Sequence, residues 1–151
     1  MIKDSGERRS FDTGAVRDIQ EGKGRCDLMP LEVVSSLVLN PCSRKGKSIK
    51  FIGEFQKSGD SGFLYAALWS FIGELQCDVH TVLLEVSKHF EEGAKKYGEN
   101  NWQKGIPVNC YIDSAIRHYL KWLRGDKDED HARAFVWNIM CCIWEVDFRE
   151  K

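Results

Sequence analysis

The chain has 151 residues, 42% of them hydrophobic and 30% charged, with a formal net charge of -1. That length suits one domain burying its own core without disulfide or metal support. The charge balance excludes a general nucleic-acid coat and a polybasic membrane binder, so neither a nucleic-acid polymer nor a membrane is an expected partner.

Residues 1–30 are polar and turn-rich, with glycines at positions 6, 14, 22 and 24. They read as an irregular arm whose FDTGAVRD and GKGRCDLMP stretches carry Arg17, Lys23 and Arg25. Leu31–Leu39 follows Pro30 and predicts a helix, with a strand as the alternative because of its β-branched content. Pro41–Asp60 reads as a basic loop, broken by KGKSIK and KSGDSG, with SIKFIG as its strand candidate. Phe63–Leu75 is apolar on nearly all sides and predicts a buried helix.

Asp78 is a fitting N-cap for the next helix, whose apolar residues run from Val79 to Tyr97 before Gly98 stops it. Gly93 inside it costs about 1 kcal/mol relative to Ala. Its presence points to a close approach by a backbone or ligand, or to a break. After the loop ENNWQKGIPVN, Asp113 or Ser114 is expected to open a helix that Gly125 closes. DKDED then starts a helix whose AFVWNIMCCIW run is apolar almost all round, suited to a bundle interior or a subunit interface. The class is all-α, a helical bundle with an N-terminal arm, and a homo-oligomer is expected from that last helix. No stretch nears the roughly 18 apolar residues of a membrane helix and MIKDSGERRS has no apolar signal core, so a cytoplasmic location is expected. Six cysteines (Cys26, Cys42, Cys77, Cys110, Cys141, Cys142) form no CxxC pair and read as reduced core thiols.

Chemistry concentrates between Glu91 and Asn138. Glu91 and Glu92 lie late in one helix, and Asp128, Glu129 and Asp130 begin another, so facing carboxylates could hold a hard divalent cation. The second cluster could equally complement a helix dipole and cap its end. His131, Asn138 and Glu145 fall at i, i+7 and i+14, a polar line through an apolar helix, while His118 follows Arg117. Arg117, Lys121 and Arg124 form a basic row, Lys95 and Lys96 lie near in sequence, and arginine's planar fork suits phosphate. Lys121 and Arg124 read as a solvated face; His80 and His89 read as ordinary helix surface. Trp102 and Trp137 flank Asn100, Asn101 and Asn138, so a base could stack on an indole while an amide reads its edge. No Walker A, GxGxxG, GxSxG or HExxH pattern occurs.

The blocks TGAVRD, GKGRCDLMP, EEGAKKYGENNWQKGIP, DSAIRHYLKWLRG and DEDHARAFVWN, at residues 11–30 and 90–138, resemble the dATP/dGTP diphosphohydrolase N-terminal domain family of phages and prophages. Residues 42–79 match that resemblance poorly and read as an insertion or lineage-specific helical segment of a single domain spanning 1–151. The resemblance implies a relationship to MazG-like all-α NTP pyrophosphohydrolases, which use Mg²⁺ (or Mn²⁺) on helical carboxylates, and a host-cytoplasm setting if phage-encoded. It also implies Glu91, Glu129 and Asp130 as metal ligands and His131 or His118 as orienting groups. Arg17, Lys23, Arg25, Lys96 and Arg117 would neutralise a triphosphate, and Asn101, Trp102 and Asn138 would contact the base. The MazG-like EExxE acid row is incomplete here, because Lys95 stands where its third acid belongs, and Asp130, His131 and Asn138 stand in place of ExxD. The expected function is therefore conversion of a dNTP, purines favoured, to dNMP and pyrophosphate. Two alternatives are a non-catalytic nucleotide or cyclic-nucleotide binding protein and a purely structural role for the last helix.

Overall fold

Most of the chain is helical because its apolar residues recur at 3.6-residue spacing. The computed structural model describes residues 4–38 and 45–149. Its helices are α1 (Leu31–Val38), α2 (Lys47–Ser58), α3 (Gly62–Leu75), α4 (Val79–Tyr97), α5 (Val108–Arg124) and α6 (His131–Asp147). Single 3₁₀ turns lie at Cys26–Leu28 and Asn101–Gln103, and β1 (Arg8–Ser10) pairs antiparallel with β2 (Val16–Asp18). The all-α class holds, with one small hairpin added. No described helix is long and apolar enough to cross a membrane.

By compactness the chain divides into Leu28–Leu83 and a second unit of Met1–Asp27 with Leu84–Lys151. The first contains the 42–79 segment. Within it, residues 47–58 are a helix where a basic loop with a strand was expected. Ile49, Ile52 and Phe55 recur at three-residue steps and are all buried, so a helical apolar stripe prevails over the breakers. The breakers act at the ends: Gly46 and Gly59 both take left-handed backbone, and Gly59 closes the helix on Phe55 O at 2.7 Å. α1 and α3 both pack on α2. Leu31, Ile49, Ile52, Leu64, Ala67 and Phe71 make this unit's core. Cys42 lies outside the described residues; the other five cysteines are free thiols.

In the second unit, α5 and α6 form the central pair. Tyr111, Ile112, Ile116 and Tyr119 from α5 meet a core that includes Phe135, Ile139 and Cys142 from α6, all essentially inaccessible. These α6 residues thus take the bundle-interior setting, one of the two that their apolar run suits. α5 starts at Val108, not at Asp113 or Ser114, because Pro107 supplies the entry and Asp113 lies buried one turn further in. There Asp113 accepts from the Cys26 backbone N–H and from Arg117 at 2.7 Å. Gly105 turns the chain into α5 at φ 108°, and an added Cβ would stand 2.5 Å from Arg149 Nη2 and 2.8 Å from Thr13 Cγ2. Gly93 neither breaks α4 nor meets a backbone, since nothing lies within 4 Å of a Cβ built there.

The arm is more regular than expected. Asn101 pairs with both polar groups of Val16, donating to its carbonyl and accepting from its N–H at 2.9 Å each. Arg117 donates to the carbonyls of Lys23 (3.1 Å) and Gly24 (2.7 Å). The hairpin and the following loop are therefore fastened by side chains of the helical body. Replacing Asn101 by Ala removes both bonds to Val16, and each unmet buried group costs about 1–3 kcal/mol. Asn101→Ala is expected to lower unfolding free energy by roughly 2 kcal/mol in urea denaturation and to speed proteolysis of the arm, with Gln103→Ala near neutral.

Candidate functional site

α6 begins at His131 because Asp130 caps it, accepting from the Arg133 N–H at 3.0 Å. That start sets the His131 ring inside the unit, 2% exposed, with its two nitrogens facing different groups. Nε2 lies 2.7 Å from Asp128 Oδ1, and Nδ1 lies 2.9 Å from Nδ1 of His118 on α5. An ionised carboxylate only accepts, so His131 donates Nε2–H to Asp128 and, as a neutral ring, presents a lone pair at Nδ1. His118 then donates across the gap. Glu129 Oε2 is 4.0 Å from the same Nδ1, and its side chain is only 11% exposed. Ligand-capable atoms of His118, Glu129 and His131 all lie within 4.8 Å of one another.

Two cavities adjoin this cluster. One, of about 330 Å³, is lined by Phe90, Tyr97, Trp102, Ile106 and Trp137 among others. Trp102 meets Trp144 edge-on at 5.0 Å and Phe90 at 5.6 Å, so the aromatic wall is braced. Gly93 opens onto this space, which accounts for the missing side chain. The other cavity, of about 680 Å³, is lined by Arg9, Lys23, Arg117 and Lys121 together with Asp4, Asp18 and Asp113. Arg17, Tyr97, His118 and Glu129 line both. Arg17 is set by Ser114 Oγ at 2.9 Å and Asn138 Oδ1 at 3.3 Å, while Asn138 donates to Ala134 O at 2.8 Å.

Of the residues expected from sequence, this arrangement gathers Arg17, Lys23, Trp102, Arg117, His118, Glu129, His131 and Asn138. Glu91 is exposed and belongs to neither carboxylate–histidine cluster among the described residues; its neighbour Glu92 turns to Arg133 at 3.0 Å. Asp130 is engaged as the α6 cap, which is the helix-end alternative. Asn101 lines the aromatic cavity, but its amide is fully used on Val16. Arg25 forks onto Asp27 at 2.7 Å through two nitrogens, and Lys96 lines neither cavity, lying 3.9 Å from Asp4. The expected solvated row divides: Arg124 pairs with Asp126 at the surface, whereas Lys121 lines the larger cavity.

Sequence reasoning passed over His89, Phe90 and Arg9. His89 is buried on the aromatic cavity, its ring centroid 5.2 Å from that of Trp137. The available signal was Gly93 with His89 and Tyr97 one turn to either side, three residues poorly suited to a plain apolar face. His89 Nδ1, Trp137 Nε1 and Arg17 Nη1 are buried with no hydrogen-bond partner among the described residues. Such groups are rare in settled cores and concentrate where ligand or water completes the set.

A family model described as dATP/dGTP diphosphohydrolase, N-terminal, matches residues 68–151. The match takes in α4, α5 and α6 and begins within α3. No curated protein and no solved structure gave a match.

Burial, with Arg133 adding to it, lowers His89 to about 4, and burial with the adjacent His131 lowers His118 to about 3. Both are neutral at pH 7. In the unfolded chain each takes a proton near 6.5. Between pH 6.5 and 4 the unfolded state therefore binds more protons, and stability falls as pH falls. Metal-free protein taken from pH 7 to pH 5 is expected to lose on the order of 1–2 kcal/mol per histidine in denaturant titrations. Leucine at position 89 should remove that histidine's share of the slope.

Proposed function

The chain belongs to the dATP/dGTP diphosphohydrolase N-terminal family, and on that premise we propose that it is a divalent-metal-dependent nucleoside triphosphate pyrophosphohydrolase. It takes a purine deoxynucleotide, dATP or dGTP, and gives dNMP and pyrophosphate. The observation carrying this reading is the shared wall of the two cavities. An aromatic chamber suits a base and a cation-lined chamber suits a triphosphate, and they meet at Arg17, Tyr97, His118 and Glu129. A nucleotide laid across that wall has its α-phosphate, the link between nucleoside and pyrophosphate, beside those four residues.

In this account Trp102 and Phe90 take the base by stacking and exclude water from one side of the reacting bond. Arg17, held by Ser114 and Asn138, directs its remaining N–H groups at the α-phosphate oxygens. Lys121, Arg9 and Lys23 neutralise the β- and γ-phosphates, which leave together. Water attacks the α-phosphorus, the bond to the bridging oxygen breaks so that pyrophosphate leaves, and the water's proton passes to solvent in the larger cavity. A divalent ion such as Mg²⁺ or Mn²⁺ would be held at Glu129, the carboxylate on the shared wall, and would supply a bound water of lowered pKa and screen the phosphate charge. Glu91 and Asp130 have no part in it.

A second reading, nucleotide binding without turnover, is favoured by one observation. Of the three carboxylates expected to act, Glu129 lines both of these cavities and Glu91 and Asp130 line neither. Incubation with each dNTP and Mg²⁺ or Mn²⁺, followed by product separation, decides between them. Release of dNMP and pyrophosphate from dATP and dGTP is expected, with kcat/KM lowered on the order of 100-fold in Arg17→Ala and Glu129→Gln. Tight binding in calorimetry with intact nucleotide recovered would establish the second reading; neither binding nor release overturns both.

A further inference from the structure

We infer that His118, Glu129 and His131 form a binding site for a first-row transition-metal ion, with Asp128 as the carboxylate that orients His131. This deepens the reading above by naming the ion class and its ligands, yet it stands on metal binding alone.

The oxygen-only site expected from sequence is not assembled, because Glu91 is exposed and Asp130 caps α6. Mg²⁺ asks for near-ideal octahedral oxygen ligands and parts reluctantly with its water. Two imidazole nitrogens and one carboxylate oxygen instead suit ions from Mn²⁺ to Zn²⁺, whose affinity for nitrogen ligands rises along that series. The two separations measured from His131 agree with one shared ion. Ligands about 2.1 Å from an ion stand roughly 3.0 Å apart at right angles and roughly 4.2 Å apart when opposite. The Nδ1 atoms of His118 and His131 are 2.9 Å apart, and Glu129 Oε2 is 4.0 Å from His131 Nδ1.

Asp128 gives the second, independent sign. Metal-binding imidazoles commonly donate their far N–H to a carboxylate, which fixes the ring and raises its basicity. His131 does this at 2.7 Å, leaving Nδ1 turned toward His118. His118 needs only to move its proton from Nδ1 to Nε2 to offer a lone pair as well. Three protein donors leave positions open, and since His118 and Glu129 line both cavities, those positions face the space for a ligand.

A competing cluster, Asp126, Asp128 and His131, lies on the outer side of the same ring. Arg124 forks onto Asp126 through both carboxylate oxygens, at 2.8 and 2.5 Å, so that acid is already engaged. The inner set, unlike this outer one, borders both cavities through His118 and Glu129. The duller account is a plain hydrogen bond between two buried histidines.

The test titrates metal-free protein with Co²⁺, without nucleotide, following visible absorption, and with Mn²⁺ and Mg²⁺ by calorimetry. A single Co²⁺ should bind about 100-fold or more tightly than Mg²⁺, and His118→Ala should abolish the absorption bands. Asp128→Asn should weaken binding about 10- to 100-fold, while Asp126→Asn should leave it unchanged. Since His131 is buried and its variants risk the fold, Mn²⁺ broadening of imidazole proton signals in the unaltered protein reads the site directly. Broadening confined to His118 and His131 supports the inference. No Co²⁺ binding, broadening that spares both rings, or loss of binding in Asp126→Asn alone overturns it. With nucleotide absent throughout, none of these outcomes bears on pyrophosphate release, which has its own assay.

Discussion

Three polar side chains buried along α6 govern the arrangement of the second unit. His131, Arg133 and Asn138 sit on a helix that is otherwise apolar, and each would cost about 1–3 kcal/mol if left without a partner. Their partners come from three separate elements. His118 on α5 meets His131, Glu92 on α4 meets Arg133, and Arg17 on β2 meets Asn138. Satisfying α6 therefore draws the hairpin and two helices around it. The histidine pair and Arg17 left along the cavity wall are a consequence of that same requirement.

How much of this the sequence disclosed depends on whether the signal was local. α4 is readable from its apolar period with Asp78 and Gly98 at its ends, and α3 and α6 from nearly continuous apolar runs. Yet α3 is not the buried helix such a run predicts, since Tyr65 and Trp69 are exposed and Leu64, Ala67 and Phe71 form its buried face. α2 was hidden because its lysines and flanking glycines dominate a composition-based reading, while three well-spaced apolar residues decide the outcome. The hairpin was hidden for another reason: its three-residue strands are fixed by Asn101, 85 positions away from Val16. The site divides the same way. His118, His131 and Trp102 carry functional groups with few local alternatives. Arg25 and Asp130 each have a short-range partner, Asp27 and the Arg133 N–H, which takes them first. Arg117 and Asn101 were assigned to a ligand but hold the arm, a long-range task no spacing reveals.

Holding the arm in advance has a consequence for binding. Arg17 and Lys23 belong to the arm and line the larger cavity, so their wall exists before any ligand arrives. An arm that ordered only on binding would subtract its ordering entropy from the affinity. The cations there are also partly balanced beforehand, Lys23 by Asp18 at 2.7 Å and Arg117 by Asp113 at 2.7 Å. Any anion entering that cavity must compete with those carboxylates. Among the described residues Arg17 has no such rival in its hydrogen bonds and its Nη1 has no partner, which leaves it readier for a new anion than Lys23 or Arg117.

The loop before α6 shows why a run of acids cannot be treated as one ligand. Asp128, Glu129 and Asp130 are consecutive, yet they do three different things. Asp128 braces the outer nitrogen of His131, Glu129 turns inward to both cavities, and Asp130 caps the helix. Outside a regular helix the backbone has no fixed side-chain period, so neighbouring carboxylates diverge. Once Asp130 adopts the cap geometry, the residue after it enters the helix and the two before it fall on opposite sides of the His131 ring. The cap contributes about 1 kcal/mol to the helix, but its larger effect is positional, since it sets which carboxylate faces each nitrogen of His131.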